Sequence, residues 1–156
     1  MQSTNKTLAI THVKNFLIGL CLSALILLPC FIYLHGSRQL TWTAIVIALA
    51  AFVVSIPVHE VIHAVMCCLL SENNINTIRI GANWKTLNAY CSYQLPVRNK
   101  ASQIAITMMP GVLLGLVPAI MSLCIGTAWL CLFSFLSLAG ASGDTVKAYK
   151  LINQQK

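Results

Sequence analysis

Between positions 41 and 70 the chain has one formally charged residue, Glu60. A segment so apolar can satisfy its own backbone away from water only as a helix, and it exceeds the roughly 20 residues that cross a bilayer core. Three further apolar runs accompany it, at 16–34, 104–125 and 128–141, the last short against a usual minimum of about 17 residues. With 58% hydrophobic and 8% charged residues in 156, and a mean hydropathy of +0.79, an ordinary soluble domain is excluded. The chain reads as one all-α polytopic membrane domain over 1–156. Its four transmembrane helices are expected at about 14–34, 41–70, 102–125 and 127–143, with tails at 1–12 and 145–156 and a cytoplasmic insert at 71–100.

The net charge of +7 does not point to nucleic acid, because the basic residues separate the apolar runs instead of forming a patch interleaved with aromatics. Topology accounts for them. With the N-terminus inside, Lys6, Lys14, Arg79, Lys85, Arg98, Lys100, Lys147, Lys150 and Lys156 are all cytoplasmic, and Arg38 alone lies outside. The expectation is an integral multi-pass protein of a bacterial cell membrane, with the lipid bilayer as a partner and both termini cytoplasmic. The first apolar run lacks a small-x-small cleavage site after it and reads as a retained helix. The seven cysteines contain no Cys-x-x-Cys pair and lie mostly in apolar runs, where they act as small hydrophobes.

Chemistry concentrates in His59-Glu60-Val61-Ile62-His63. Histidines at i and i+4 share one helical face and offer a metal two imidazoles, while the intervening carboxylate can take a proton from a water held there. Imidazoles and a carboxylate within one turn are costly in a membrane unless partnered, which favours Zn²⁺ binding over helix packing. Asp144 is the candidate third ligand. At about 1.5 Å per residue, His59 lies roughly 27 Å along the second span and Asp144 roughly 25 Å along the fourth, which runs in the same direction. Asp144 can alternatively cap a juxtamembrane helix after Ser142-Gly143. Among rivals, Glu72 falls on the opposite face of the second helix, His35 is at the far end of the first span, and His12 sits in the tail on the correct side. Cys67, four residues after His63, would make a structural His-His-Cys site if it were not simply a packed thiol.

Elsewhere the signals concern shape. Pro57 removes a backbone hydrogen bond two residues before His59, and Met109-Pro110-Gly111 with Pro118 should bend or interrupt the third span. Small residues at 138–143 allow close helix approach. In the insert, the alternation of Thr77-Ile78-Arg79-Ile80, the turn at 81–85 and the segment 87–95 suggest a β-hairpin. Trp84, Tyr90 and Tyr93 would then anchor it at the headgroups, or its edge would receive an extended substrate.

Taken together, the His59-Glu60-x-x-His63-Ala64 motif, the insert, the Met109-Pro110-Gly111 span and the late Gly143-Asp144 resemble the site-2 protease class of intramembrane zinc metalloproteases, and more closely the compact zincin peptidases related to them. The resemblance covers about 41–151. It implies zinc held by His59, His63 and Asp144, with Glu60 as catalytic base, in an endopeptidase cleaving a membrane protein or membrane-associated peptide near the cytoplasmic face. The sequence departs from the class in having Ser142-Gly143-Asp144-Thr145 in place of Asn-Pro-Asp-Gly. It also has Gly111-Val112-Leu113-Leu114-Gly115 where the class tends to carry an Asn, which turns attention to Asn83 and Asn88 as oxyanion donors. Two other functions compete: a non-catalytic zinc-binding membrane protein, such as an immunity or sequestering partner, and a transporter. A pure binder has no use for Glu60, and a single clustered site gives an ion little pathway.

Overall fold

The computed structural model describes residues 2–70, 78–83, 88–93 and 100–153. Helix α1 spans Gln2–His35 and, after a 3₁₀ turn at Ser37–Gln39, α2 spans Trp42–Leu70. Strands β1 (Ile78–Asn83) and β2 (Asn88–Tyr93) pair antiparallel, with Ile78 opposite Tyr93 and Asn83 opposite Asn88. Four helices follow: α3 (Lys100–Gly111), α4 (Val117–Ile125), α5 (Ala128–Gly140) and α6 (Ser142–Asn153). Among the described residues, three stretches are long and apolar enough to cross a membrane, Val13–His35, Trp42–Leu70 and Lys100–Ile125, and α5 with α6 makes a fourth if the bent pair is one span. This is compatible with a multi-pass membrane protein.

The outward faces of α1 and α2 carry Leu25, Ile26, Val53, Val54 and Leu69 largely exposed. In water such faces would drive association; against lipid they are matched. Inside, one core cluster joins Leu27 and Phe31 of α1, Ala44 of α2, Ala119 of α4 and Ala128 and Cys131 of α5. A smaller cluster packs Cys67 of α2 on Ile106 of α3. Two buried hydroxyls turn back on their own helices: Ser122 donates to the Ala119 carbonyl and Ser134 to that of Cys131. This satisfies polar atoms without water. At the α4–α5 corner Gly126 takes a left-handed conformation, φ 78°, and its N–H donates to the Ser122 carbonyl, the usual glycine stop.

The third span is interrupted. Residues Val112–Leu116 form a π-helical segment, in which the Val117 N–H reaches back to the Val112 carbonyl. Pro118 explains the wider turn, because it lacks an N–H and its ring crowds the carbonyl of Leu114, four residues earlier.

The expected fourth span at 127–143 is two helices. Alone, the 13 residues of α5 reach only about 20 Å, and α6 leaves at 45° to it. Gly140 and Gly143 flank the corner and weaken the helix there. The Ala141 carbonyl accepts from the N–H groups of both Asp144 and Thr145 at 3.1 and 3.0 Å, restarting the helix in a new direction. Helix α6 therefore continues to Asn153 through residues read as a soluble tail, and α1 begins at Gln2, within the other tail. Nothing between Gln2 and Phe16 breaks a helix.

Helix α1 braces this corner through Gly19. A Cβ there would stand 2.8 Å from the Ser142 Cβ and 3.2 Å from the Ala139 Cα. The second contact is backbone and cannot swing aside. Gly19→Val is therefore expected to destabilise the chain by about 1–3 kcal/mol, read as a lower thermal midpoint in detergent.

Candidate metal centre

Helix α2 presents His59 and His63 one turn apart, with ring centroids 4.9 Å apart at 76° to each other. The 45° corner turns the first residues of α6 onto that face. His59 Nε2 stands 3.0 Å and His63 Nε2 3.4 Å from the same oxygen, Asp144 Oδ2. Among the described residues, these three side chains form the group of ligating atoms that all lie within 4.8 Å of one another. An ion about 2.0–2.1 Å from each of its ligands in a tetrahedral shell would hold neighbouring ligand atoms about 3.3 Å apart. The donor set and spacing fit such an ion.

Helix α3 supplies a backbone contact. The Ile106 carbonyl is 2.8 Å from His63 Nδ1. A carbonyl only accepts, so Nδ1 carries the proton and donates. In the neutral ring Nε2 is then a bare lone pair facing a carboxylate oxygen, an arrangement that needs either a second proton or a cation between them. The other Asp144 oxygen, Oδ1, receives Lys147 Nζ at 2.7 Å. The carboxylate is thus divided, one oxygen to a lysine at the exposed edge and one to the imidazoles. Asp144 itself is buried, with its side chain 10% exposed, and a carboxylate in that position is tolerable only with such partners. Glu60, next to His59 and partly buried, lies within electrostatic reach of His59, His63, Asp144 and Lys147.

The structure therefore brings His59, His63 and Asp144 together, with Glu60 beside them. Asp144 lies in the first turn of α6, and its side chain faces the histidines. His35 is spent elsewhere, donating from Nε2 to the Leu123 carbonyl at 2.7 Å, and Cys67 is buried against Ile106 outside the group. Glu72 and Trp84 lie outside the described residues, as do the side chains of His12, Asn83, Asn88, Tyr90 and Tyr93. Sequence reasoning missed Lys147 and the Ile106 carbonyl. The i,i+3 spacing of Asp144 and Lys147 was a usable signal for the first.

A family model described as putative zincin peptidase matches residues 52–156. The interval is more than half of the chain and contains every residue of this cluster. The chain belongs to the putative zincin peptidase family. No curated protein and no solved structure matches it. Family membership points to a zinc metallopeptidase and names the ion that the cluster would hold.

Among the described residues, Asp144 is the member of the ligand group from outside α2, so its loss should be felt directly. Asp144→Asn is expected to weaken zinc binding by about 100-fold or more, beyond what loss of a supporting partner usually costs. Zinc content of the detergent-purified protein under chelator competition measures it; unchanged content would remove Asp144 from the site.

Proposed function

We propose that this chain is a zinc-dependent intramembrane endopeptidase of the site-2 protease type, hydrolysing peptide bonds of membrane-associated substrates near the cytoplasmic face. The observation that carries the reading is the convergence of two imidazoles and one carboxylate oxygen beside Glu60, on helices whose outer surfaces suit lipid. Both termini and the β1–β2 segment would then be cytoplasmic, as the distribution of Lys and Arg favours.

His59 Nε2, His63 Nε2 and Asp144 Oδ2 would hold the ion. Zinc bound there supplies Lewis acidity, polarising a carbonyl and making a water nucleophilic near neutral pH. Glu60 takes one proton from that water as its oxygen bonds to the carbonyl carbon. It then gives the proton to the departing nitrogen as the C–N bond breaks, so one carboxylate serves first as base and then as acid. His63, fixed by the Ile106 carbonyl, keeps its ring orientation through the cycle. Lys147 holds Oδ1 of Asp144 and leaves Oδ2 facing the histidines. Substrate helices must unwind locally before their peptide bonds can be reached, and β1 and β2, both packed on α2, offer strand edges for an extended segment.

The competing role, zinc binding without catalysis, makes the opposite demand on Glu60. Glu60→Gln is expected to keep its zinc and to lower cleavage of transmembrane reporter peptides in proteoliposomes by about 10²–10⁴-fold. Wild-type cleavage by that variant would sink the mechanism, and an inert wild type that still binds zinc would favour the sequestering role.

A further inference from the structure

Helix α3 contains Pro110 in its last turn, and its side chain is fully buried. In an α-helix the N–H of residue 110 would bond to the carbonyl of residue 106. Proline has no N–H, and its ring also presses on that carbonyl and tilts it away from the helix axis. The carbonyl so released is that of Ile106, the one that receives His63 Nδ1 at 2.8 Å.

We propose that Pro110 is a positioning residue for the metal centre, one that keeps the Ile106 carbonyl open to the Nδ1–H of His63 and so points the Nε2 lone pair at Asp144. The proposal rests on the zinc-site reading. A released carbonyl in an apolar interior must find another donor, and a metal-binding histidine needs an acceptor on its far nitrogen to fix its tautomer and orientation. Each group meets the other's requirement. Ile106 is 2% exposed and the His63 side chain 13%, so water competes poorly for either. His59 has no equivalent brace among the described residues, which leaves His63 as the imidazole whose orientation is set independently of the ion.

Pro110→Ala restores the N–H and gives the Ile106 carbonyl a partner within α3. In the full-length protein in detergent, this variant should bind zinc about tenfold more weakly than wild type, while the thermal midpoint of the metal-free protein stays the same or rises. A folded variant with wild-type zinc affinity would overturn the proposal. Failure of the wild type itself to bind zinc would instead overturn the reading of the site. A second measurement needs no variant that folds: nitrogen-15 NMR of histidine-labelled, zinc-free wild type, with the imidazoles neutral. His63 is expected as the Nδ1–H tautomer with Nε2 bare, and finding the proton on Nε2 would contradict the proposal whatever Pro110→Ala does.

Discussion

Asp144 places a carboxylate, on a side chain 10% exposed, where α2, α3 and α6 converge, and a charge withdrawn from water to that extent costs several kcal/mol unless it is paired. Much of the surrounding architecture can be understood as meeting that cost. The corner between α5 and α6 turns the residue inward; α1 holds the corner through Gly19. Lys147 takes one oxygen at the exposed edge, and His59 and His63 face the other. Remove the histidines and one oxygen of the carboxylate, Oδ2, would lose both of these partners. Remove the carboxylate and the Nε2 atoms of His59 and His63 would lose the oxygen they both face.

The rest of the bundle is the inverse of a soluble protein. Large aliphatic side chains are outside, on α1 and α2 above all, while the interior is made of smaller apolar residues with a few hydroxyls and Asp144 among them. With apolar material on both sides of each helix, burial alone does not hold the helices together. Close approach at small residues does much of this instead. Gly19 lies on the Ala139–Ser142 corner, and the Ser23 hydroxyl reaches the Phe135 carbonyl of α5 at 3.2 Å as well as its own helix. The irregular backbone of the third span has one covered side, where Gly115 is buried against Leu138 of α5, and one open side, where Leu113 and Leu116 are exposed.

Much of this was legible in the residues because the relevant signals are long or chemically rare. A run such as 41–70 admits few structures other than a helix, and His59-Glu60-x-x-His63 leaves few chemical readings. Counting helical rise placed Asp144 at the depth of His59 although the fourth span is bent, because the corner comes only three residues before Asp144 and hardly changes the count. The corner itself could not be derived. Gly140 and Gly143 mark weakness in a helix but not the direction in which it turns, which α1 and α3 decide by packing. The Ile106 carbonyl was invisible for a different reason: a backbone acceptor has no residue identity, and only the proline four positions later hints that it is free. Lys147, read as one more cytoplasmic cation, belongs to the site because α6 continues as a helix past Asp144.

The most direct test of this account is zinc K-edge X-ray absorption on the purified, zinc-loaded protein, since it reads the ligand shell itself. Two imidazole nitrogens and a carboxylate oxygen predict a shell of nitrogen and oxygen at about 2.0–2.1 Å with imidazole outer-shell scattering and no sulfur. A zinc–sulfur distance of about 2.3 Å would bring in a cysteine and contradict the assignment of Asp144. A spectrum of hydrated zinc alone would show that the three side chains hold no ion.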